Sequence, residues 1–245
     1  MLLFANALSA KRLPVALPAA TTLQRSSKQS RLIIAIVTTL LFAPFALANA
    51  NDNVEETVKA LQKRWAEVNY QLRDKAQKQA FEALINQAEQ ATVDYPQAAE
   101  TWIWSGIIKS SYAGAKGGLG ALSLAKASRK DLDRAMDLNP NALSGSAYTS
   151  LGTLYFKVPG WPLGFGDRER AEELLKKALT LNPDGIDSNY FYAEFLRDQG
   201  KYEEAERYLL KAEQAPPRPQ RPLADAGRRK EISVALHQVR EKLNN

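Results

Sequence analysis

Small and apolar residues recur at three- and four-residue intervals along four successive stretches of the chain, and each stretch runs into a proline. The last is the clearest: Ala193, Leu196, Ala205, Leu209 and Ala212 precede Pro217, with Gly200 between two halves. That period places one apolar face on each of two helices, and Gly200 supplies the turn that lets them run antiparallel. Ala193 and Ala205 are small where two such helices must cross closely, and Pro217 ends the second helix.

The same register reads upstream. Gly152, Tyr155, Ala171, Leu175, Ala178 and Pro183 form a second copy, and Trp102, Gly106, Leu132, Ala135 and Pro140 a third. Leu84, Ala88 and Ala91 before Pro96 end an opening pair that starts near Asn53. The prolines at 96, 140, 183 and 217 lie 44, 43 and 34 residues apart. Thirty-four is the period of the tetratricopeptide repeat (TPR), a helix pair that buries its apolar face only by stacking on its neighbours (about 34 residues). The surplus is seven residues between Gly152 and Ala171 and ten between Gly106 and Ser128. The expected fold is all-α, a TPR-like helix-pair solenoid with two loop insertions and a C-terminal capping helix over 223–243.

The N-terminus follows another pattern. Lys28 and Arg31 precede an apolar run over 32–47, and Ala48-Asn49-Ala50 has the small-x-small form that signal peptidase accepts. This predicts an export signal over 1–50, cleavage near Ala50 and a soluble periplasmic domain over 51–245. The first 50 residues hold Lys11, Arg12, Arg25, Lys28 and Arg31 and no carboxylate, so the remainder carries 28 basic and 27 acidic residues. The basic character of the whole chain therefore belongs to the signal, and a nucleic-acid partner is not expected.

The chain has no cysteine, which excludes disulfides, thiolate zinc and lipid attachment through cysteine. Its single histidine, His237, has no second His or Cys at ligand spacing and is expected to be solvated or structural. No Gly-x-Ser-x-Gly elbow is present, and Glu172 with Lys176, like Glu173 with Lys177, has the spacing of ordinary helix-surface pairs. No catalytic residue, metal or cofactor is expected.

Unusual residues gather in the insertions and the tail. The second insertion, Pro159-Gly160-Trp161-Pro162-Leu163-Gly164-Phe165-Gly166-Asp167, cannot be helical, and its apolar trio is expected to fold onto an apolar surface. It either closes a ligand cavity or subunit contact, or caps the open edge of a helix pair. Asp167 is expected to cap the helix 168–181. The first insertion, 110–127, contains Gly114, Gly117, Gly118 and Gly120 around Lys116 but no phosphate-binding loop. Before and within it, Trp102, Trp104 and Tyr112 put aromatic bulk on several sides of a helix, as core or as pocket lining. In the tail, Pro-rich 216–222 is expected to be extended, with Asp225 pairing with Arg228 or Arg229. Arg218, Arg221, Arg228 and Arg229 are candidates for an anion or a partner, or for pairing within the chain.

Three strings carry a resemblance: 159–167, Asn189-Tyr190-Phe191-Tyr192-Ala193-Glu194-Phe195-Leu196, and 218–232 from Arg218-Pro219-Gln220-Arg221 to Glu231-Ile232. They resemble the TatT family, the T component associated with tripartite ATP-independent periplasmic (TRAP) transporters. The resemblance implies a periplasmic protein with an apolar channel, a homotrimer, a TRAP-type substrate-binding protein as partner and a small hydrophobic or organic ligand. Trp161, Phe165, Tyr190 and Tyr192 are the implied ligand contacts, with Trp102, Trp104, Tyr112 and Tyr155 as further pore-lining candidates. The family's members are lipoproteins, whereas this chain lacks the anchoring cysteine.

Overall fold

The computed structural model describes residues 43–244, and the packed unit begins at Leu47. The export-signal reading falls mainly outside the described residues, and its described part, 43–50, is helical. Among the described residues nine helices follow one another. They are α1 (Ala43–Tyr70), α2 (Asp74–Asp94), α3 (Ala99–Lys116), α4 (Gly118–Leu138), α5 (Ala142–Lys157), α6 (Arg168–Leu181), α7 (Ile186–Asp198), α8 (Tyr202–Gln214) and α9 (Pro222–Leu243). None of them is long and apolar enough to cross a membrane.

The fold is an all-α, TPR-like solenoid. Helices α3 and α4, α5 and α6, and α7 and α8 pack as pairs, α3, α5 and α7 touch in succession, and α9 lies on α7 and α8. Pro96, Pro140, Pro183 and Pro217 stand in the connections that follow α2, α4, α6 and α8.

Each pair is fastened at one close crossing. A Cβ on Gly152 would lie 2.7 Å from Cγ of Leu175 and 3.2 Å from the Ala171 carbonyl oxygen. On Gly106 it would lie 2.5 Å from Cγ of Leu132 and 3.2 Å from the Ser128 carbonyl oxygen. In the last pair Ala193 meets Ala205 and Leu209, all fully buried. The three crossings occupy the same register position, so the repeat is physical as well as numerical. Gly200 turns the chain between α7 and α8 with φ +73°, a conformation that side-chain-bearing residues rarely adopt.

The first insertion is helical rather than a loop. Its residues lengthen α3 to 18 residues and α4 to 21, against 13 each for α7 and α8. The Ala, Leu, Ser and Lys residues of 110–127 are mostly compatible with helix, and the added turns find cover: Tyr112 stacks on Phe81 of α2 at 5.6 Å and donates to Glu82 at 2.6 Å. Inside this pair Lys109 donates to Asp131 at 2.7 Å and pairs with Glu89 at 2.9 Å, while Ser105 donates to the same Asp131 oxygen at 2.7 Å. This network joins α2, α3 and α4, and its completeness matters because an unpaired buried charge is expensive.

The second insertion is a loop, but its apolar trio does not fold inward together. Phe165 meets Tyr155 edge-on at 5.6 Å, with the Arg129 guanidinium 5.0 Å from its ring. Trp161 and Leu163 remain 90% and 73% exposed. The backbone explains the difference: the amides of Leu163 and Gly164 both donate to the Gly160 carbonyl, and Gly166 donates to Pro159. The loop thus closes on itself and turns its tip outward, leaving only Phe165 within reach of the helices. Asp167 caps α6 as expected, accepting from the Arg170 amide at 3.0 Å. Glu172 pairs with Lys176 at 2.6 Å, whereas Glu173 pairs with Arg170 instead of Lys177.

Replacing Gly152 by valine should force α5 and α6 apart and lower stability by about 1–3 kcal/mol. Urea unfolding followed by circular dichroism measures this, and Gly114→Ala, where an added Cβ meets nothing within 4 Å, should be neutral or stabilising.

Candidate functional site

The C-terminal segment does two jobs along its length. Ile232, Ala235, Leu236 and Val239 cover the apolar side of the last pair. The earlier part of α9 reaches back to the start of the solenoid, where Ala224 and Leu223 join the cluster built around Trp65, Phe81 and Trp104. The approach is tight: a Cβ on Gly227 would lie 2.4 Å from the Tyr70 ring. First and last units are therefore bridged by one helix.

Charge pins that bridge. Asp187, in the first turn of α7, accepts from Arg228 Nε at 2.8 Å and from Arg218 at 2.7 Å. Arg218 also donates to Asp225 at 2.7 Å through Nε and again through its backbone amide. Arg228 continues to Glu231 at 2.5 Å, and its guanidinium lies 4.5 Å from the rings of both Tyr190 and Phe191. Burial opposes ionisation of Asp187, but the fields of Arg228, Arg218 and Arg221 outweigh it and hold the carboxyl well below the usual range. Burial pushes Glu231 upward, partly opposed by Arg228. Tyr70, which donates to Glu231 at 3.4 Å, is raised by burial to about 12.

The expected pairing of Asp225 with Arg228 or Arg229 is replaced. Asp225 takes Arg218, Arg228 takes Asp187 and Glu231, and Arg229 donates to the carbonyls of Glu213 and Ala215 at the end of α8. The cause is tertiary: Asp187, more than 30 residues from either arginine in sequence, arrives from α7. Arg221 differs from the others. Its guanidinium lies 5.1 Å from the Trp104 ring, its buried Nε has no partner, and burial with Arg218 nearby makes its charge less favourable.

Beside this network a groove of about 590 Å³ opens between the end of α1, α7 and α9. Tyr70, Tyr190, Leu223 and Val234 supply apolar walls, and Arg73 and Lys230 line it as cations. Val234 is 51% exposed. Glu194, 7% exposed, also lines the groove: one carboxylate oxygen accepts from Arg197 at 2.8 Å, while Oε1 is buried without a partner.

The aromatic candidates are dispersed among three apolar clusters. Trp104 and Tyr112 belong to the first, where Trp104 packs edge-on to Trp65 at 5.7 Å. Trp102, Tyr155 and Phe165 border the middle cluster, and Trp102 donates to the Pro96 carbonyl at 3.1 Å. Tyr190 and Tyr192 lie in the last, where Tyr192 packs on Phe195 and Tyr208. Of these only Tyr190 reaches the groove, and Trp161 stands apart in solvent. His237 is exposed, 3.5 Å from Glu241. Among the described residues no three His, Asp or Glu side chains converge as a metal site. Sequence reasoning missed Asp187 and Glu194. An acidic residue at a helix start reads as a solvated dipole partner, so Asp187 gave no warning of its role.

Removing the Asp187 carboxylate as Asp187→Ala should cost about 3 kcal/mol, since it leaves the buried Arg228 short of its main partner. A carboxyl whose folded pKa is depressed contributes stability above its ordinary pKa, and this is lost as pH falls from about 4 toward the folded value. Thermal melts from pH 6 to pH 2 should therefore fall less steeply below about pH 4 for Asp187→Asn than for the parent.

A family pattern described as tetratricopeptide repeat matches residues 163–225, from the second insertion through the start of α9. No curated protein sequence matches the chain. Among solved structures, the crystal structure of TTC0263, a thermophilic TPR protein of Thermus thermophilus, aligns over 81% of this chain and 96% of its own with a TM-score of 0.52 at 17% identity. Two crystal structures of MamA align with TM-scores of 0.40 and 0.39 at 18% and 17% identity, over 69% and 74% of this chain and 92% and 91% of theirs. Repeated crossings, helix pairing and the match to a bacterial TPR protein together make this a TPR-like helical-repeat fold.

Proposed function

We propose that the chain is a non-catalytic TPR-type scaffold that holds a segment of another protein in the groove between α1, α7 and α9. The observation that carries this is Glu194, which lines a groove with apolar walls and holds one carboxylate oxygen, Oε1, buried behind that surface without a partner. A buried unsatisfied acceptor is costly, and a turn of the Glu194 carboxylate toward the groove would let an N–H from a bound chain relieve that cost. An apolar side chain of the same segment would rest between Tyr70 and Val234. Such a site selects by shape and hydrogen bonding, as peptide grooves on helical repeats do. The periplasm is the compartment proposed with it, with residues 51–245 as the mature form.

The narrower reading is a TRAP accessory that works as a homotrimer and passes a hydrophobic or organic ligand to a periplasmic substrate-binding protein. It rests on the resemblance of the three strings. Two of them, 189–196 and 218–232, meet through Tyr190 and Arg228, while 159–167 lies at the outer loop.

A photo-crosslinking residue at Val234 in the host cell should yield one discrete protein adduct, absent when the same residue replaces exposed Gln90 on α2. With the captured partner in hand, Glu194→Gln should weaken binding by about tenfold, the equivalent of one buried hydrogen bond. No adduct, or equal adducts at both positions, would sink the groove. A TRAP-type substrate-binding protein as the adduct, with a trimer mass and a retained small molecule in native mass spectra, would select the narrower reading.

A further inference from the structure

The outer loop and the face of α4 beside it form a second surface. Lys126, Lys130 and Arg134 fall four residues apart, so they stand in one row along α4. Among the described residues none of the three takes part in an ion pair. With Arg129, Asp133, Asp137 and Phe165 they line an open groove of about 550 Å³, where Arg129 stacks on Phe165 and Asp133 is 3.5 Å from Arg129. Cations therefore exceed carboxylates on this face. Phe165 ties the row to the loop, whose tip carries Trp161 and Leu163 at 90% and 73% exposure.

We infer that Trp161 and Leu163, together with the Lys126–Lys130–Arg134 row, dock the protein on an anionic lipid surface. Three features converge on that occupant. The apolar tip is convex and projects from a base closed by its own backbone hydrogen bonds, so it enters a soft phase without needing a complementary pocket and loses little conformational freedom in doing so. Tryptophan and leucine are suited to the boundary between headgroups and acyl chains. Unpaired cations beside the tip meet anionic headgroups without first breaking an internal ion pair, and their attraction falls within a Debye length. A small apolar anchor of this kind gives reversible association, as isolated apolar insertions do.

The test uses the full chain with vesicles of phosphatidylglycerol and phosphatidylethanolamine, some bearing brominated acyl chains that quench tryptophan on contact. Trp65 and Trp104 are buried and Trp102 is partly covered, so the part of the quenching that disappears in Trp161→Phe reports the tip. Trp161 should be quenched in the anionic vesicles and not in phosphatidylcholine vesicles. Lys126→Glu/Lys130→Glu/Arg134→Glu should reduce that quenching at least about tenfold at matched lipid, and raised salt should do the same. Circular dichroism verifies that these surface variants stay folded. Equal quenching of parent and Trp161→Phe, or quenching indifferent to the charge reversal, would overturn the inference. So would protection of Trp161 by self-association before lipid is added, or by polyglutamate in place of vesicles, which would assign the face to a second copy or to an acidic protein.

Discussion

Everything in this solenoid depends on how closely the two helices of a pair approach at one point. At Gly106 and Gly152 the facing helix leaves no room for a methyl group, and the leucine that fills the position, Leu132 or Leu175, is fully buried. That contact sets the crossing, and the crossing sets the direction in which each first helix faces. A repeat protein has few long-range contacts with which to correct a local error, so a single small residue per pair carries unusual weight.

Closure comes from elsewhere. The C-terminal helix would satisfy a capping role by covering α8 alone, yet its leading half extends to Tyr70 and Trp104 at the other end of the stack. Asp187 is the hub of this arrangement because it receives two arginines from the segment that must be held. The result is a part-buried ionic assembly in which the buried Arg228 stacks on Tyr190 and Phe191, a geometry that suits the planar guanidinium better than an ammonium. Desolvation offsets much of the attraction in such a network, whereas removing one partner is costly because it leaves a buried charge uncompensated. The groove beside it inherits its walls from this closure, since most of its lining residues, Leu223, Lys230 and Val234 among them, belong to α9.

The two insertions take different forms because their residues permit different backbones. Extra residues between Gly106 and Ser128 continue the helices, because Tyr112 finds Phe81 to cover it. Those between Gly152 and Ala171 contain prolines and glycines that no helix accepts, so they leave the stack as a closed loop and display two apolar side chains. Its base, Phe165, rests against Tyr155 and Arg129, which brings the loop and the cationic row of α4 into one surface.

Helix pairs, their register, the proline stops and the Asp167 cap were legible in the residues, because each is decided within one or two turns of chain by sterics, backbone hydrogen bonding and apolar period. The aromatic candidates were legible only as apolar bulk: Trp104 went to the core and Trp161 to solvent. Glu194 and Asp187 carried no local mark at all. The sequence by itself determined the all-helical repeat and the absence of thiol chemistry. Only the tertiary structure decided which arginine meets which carboxylate, where the groove opens and which side chains remain outside. Ion pairs and apolar contacts between segments more than 30 residues apart depend on how the stacked helices curve, and that curvature is a property of the assembled stack rather than of any one stretch.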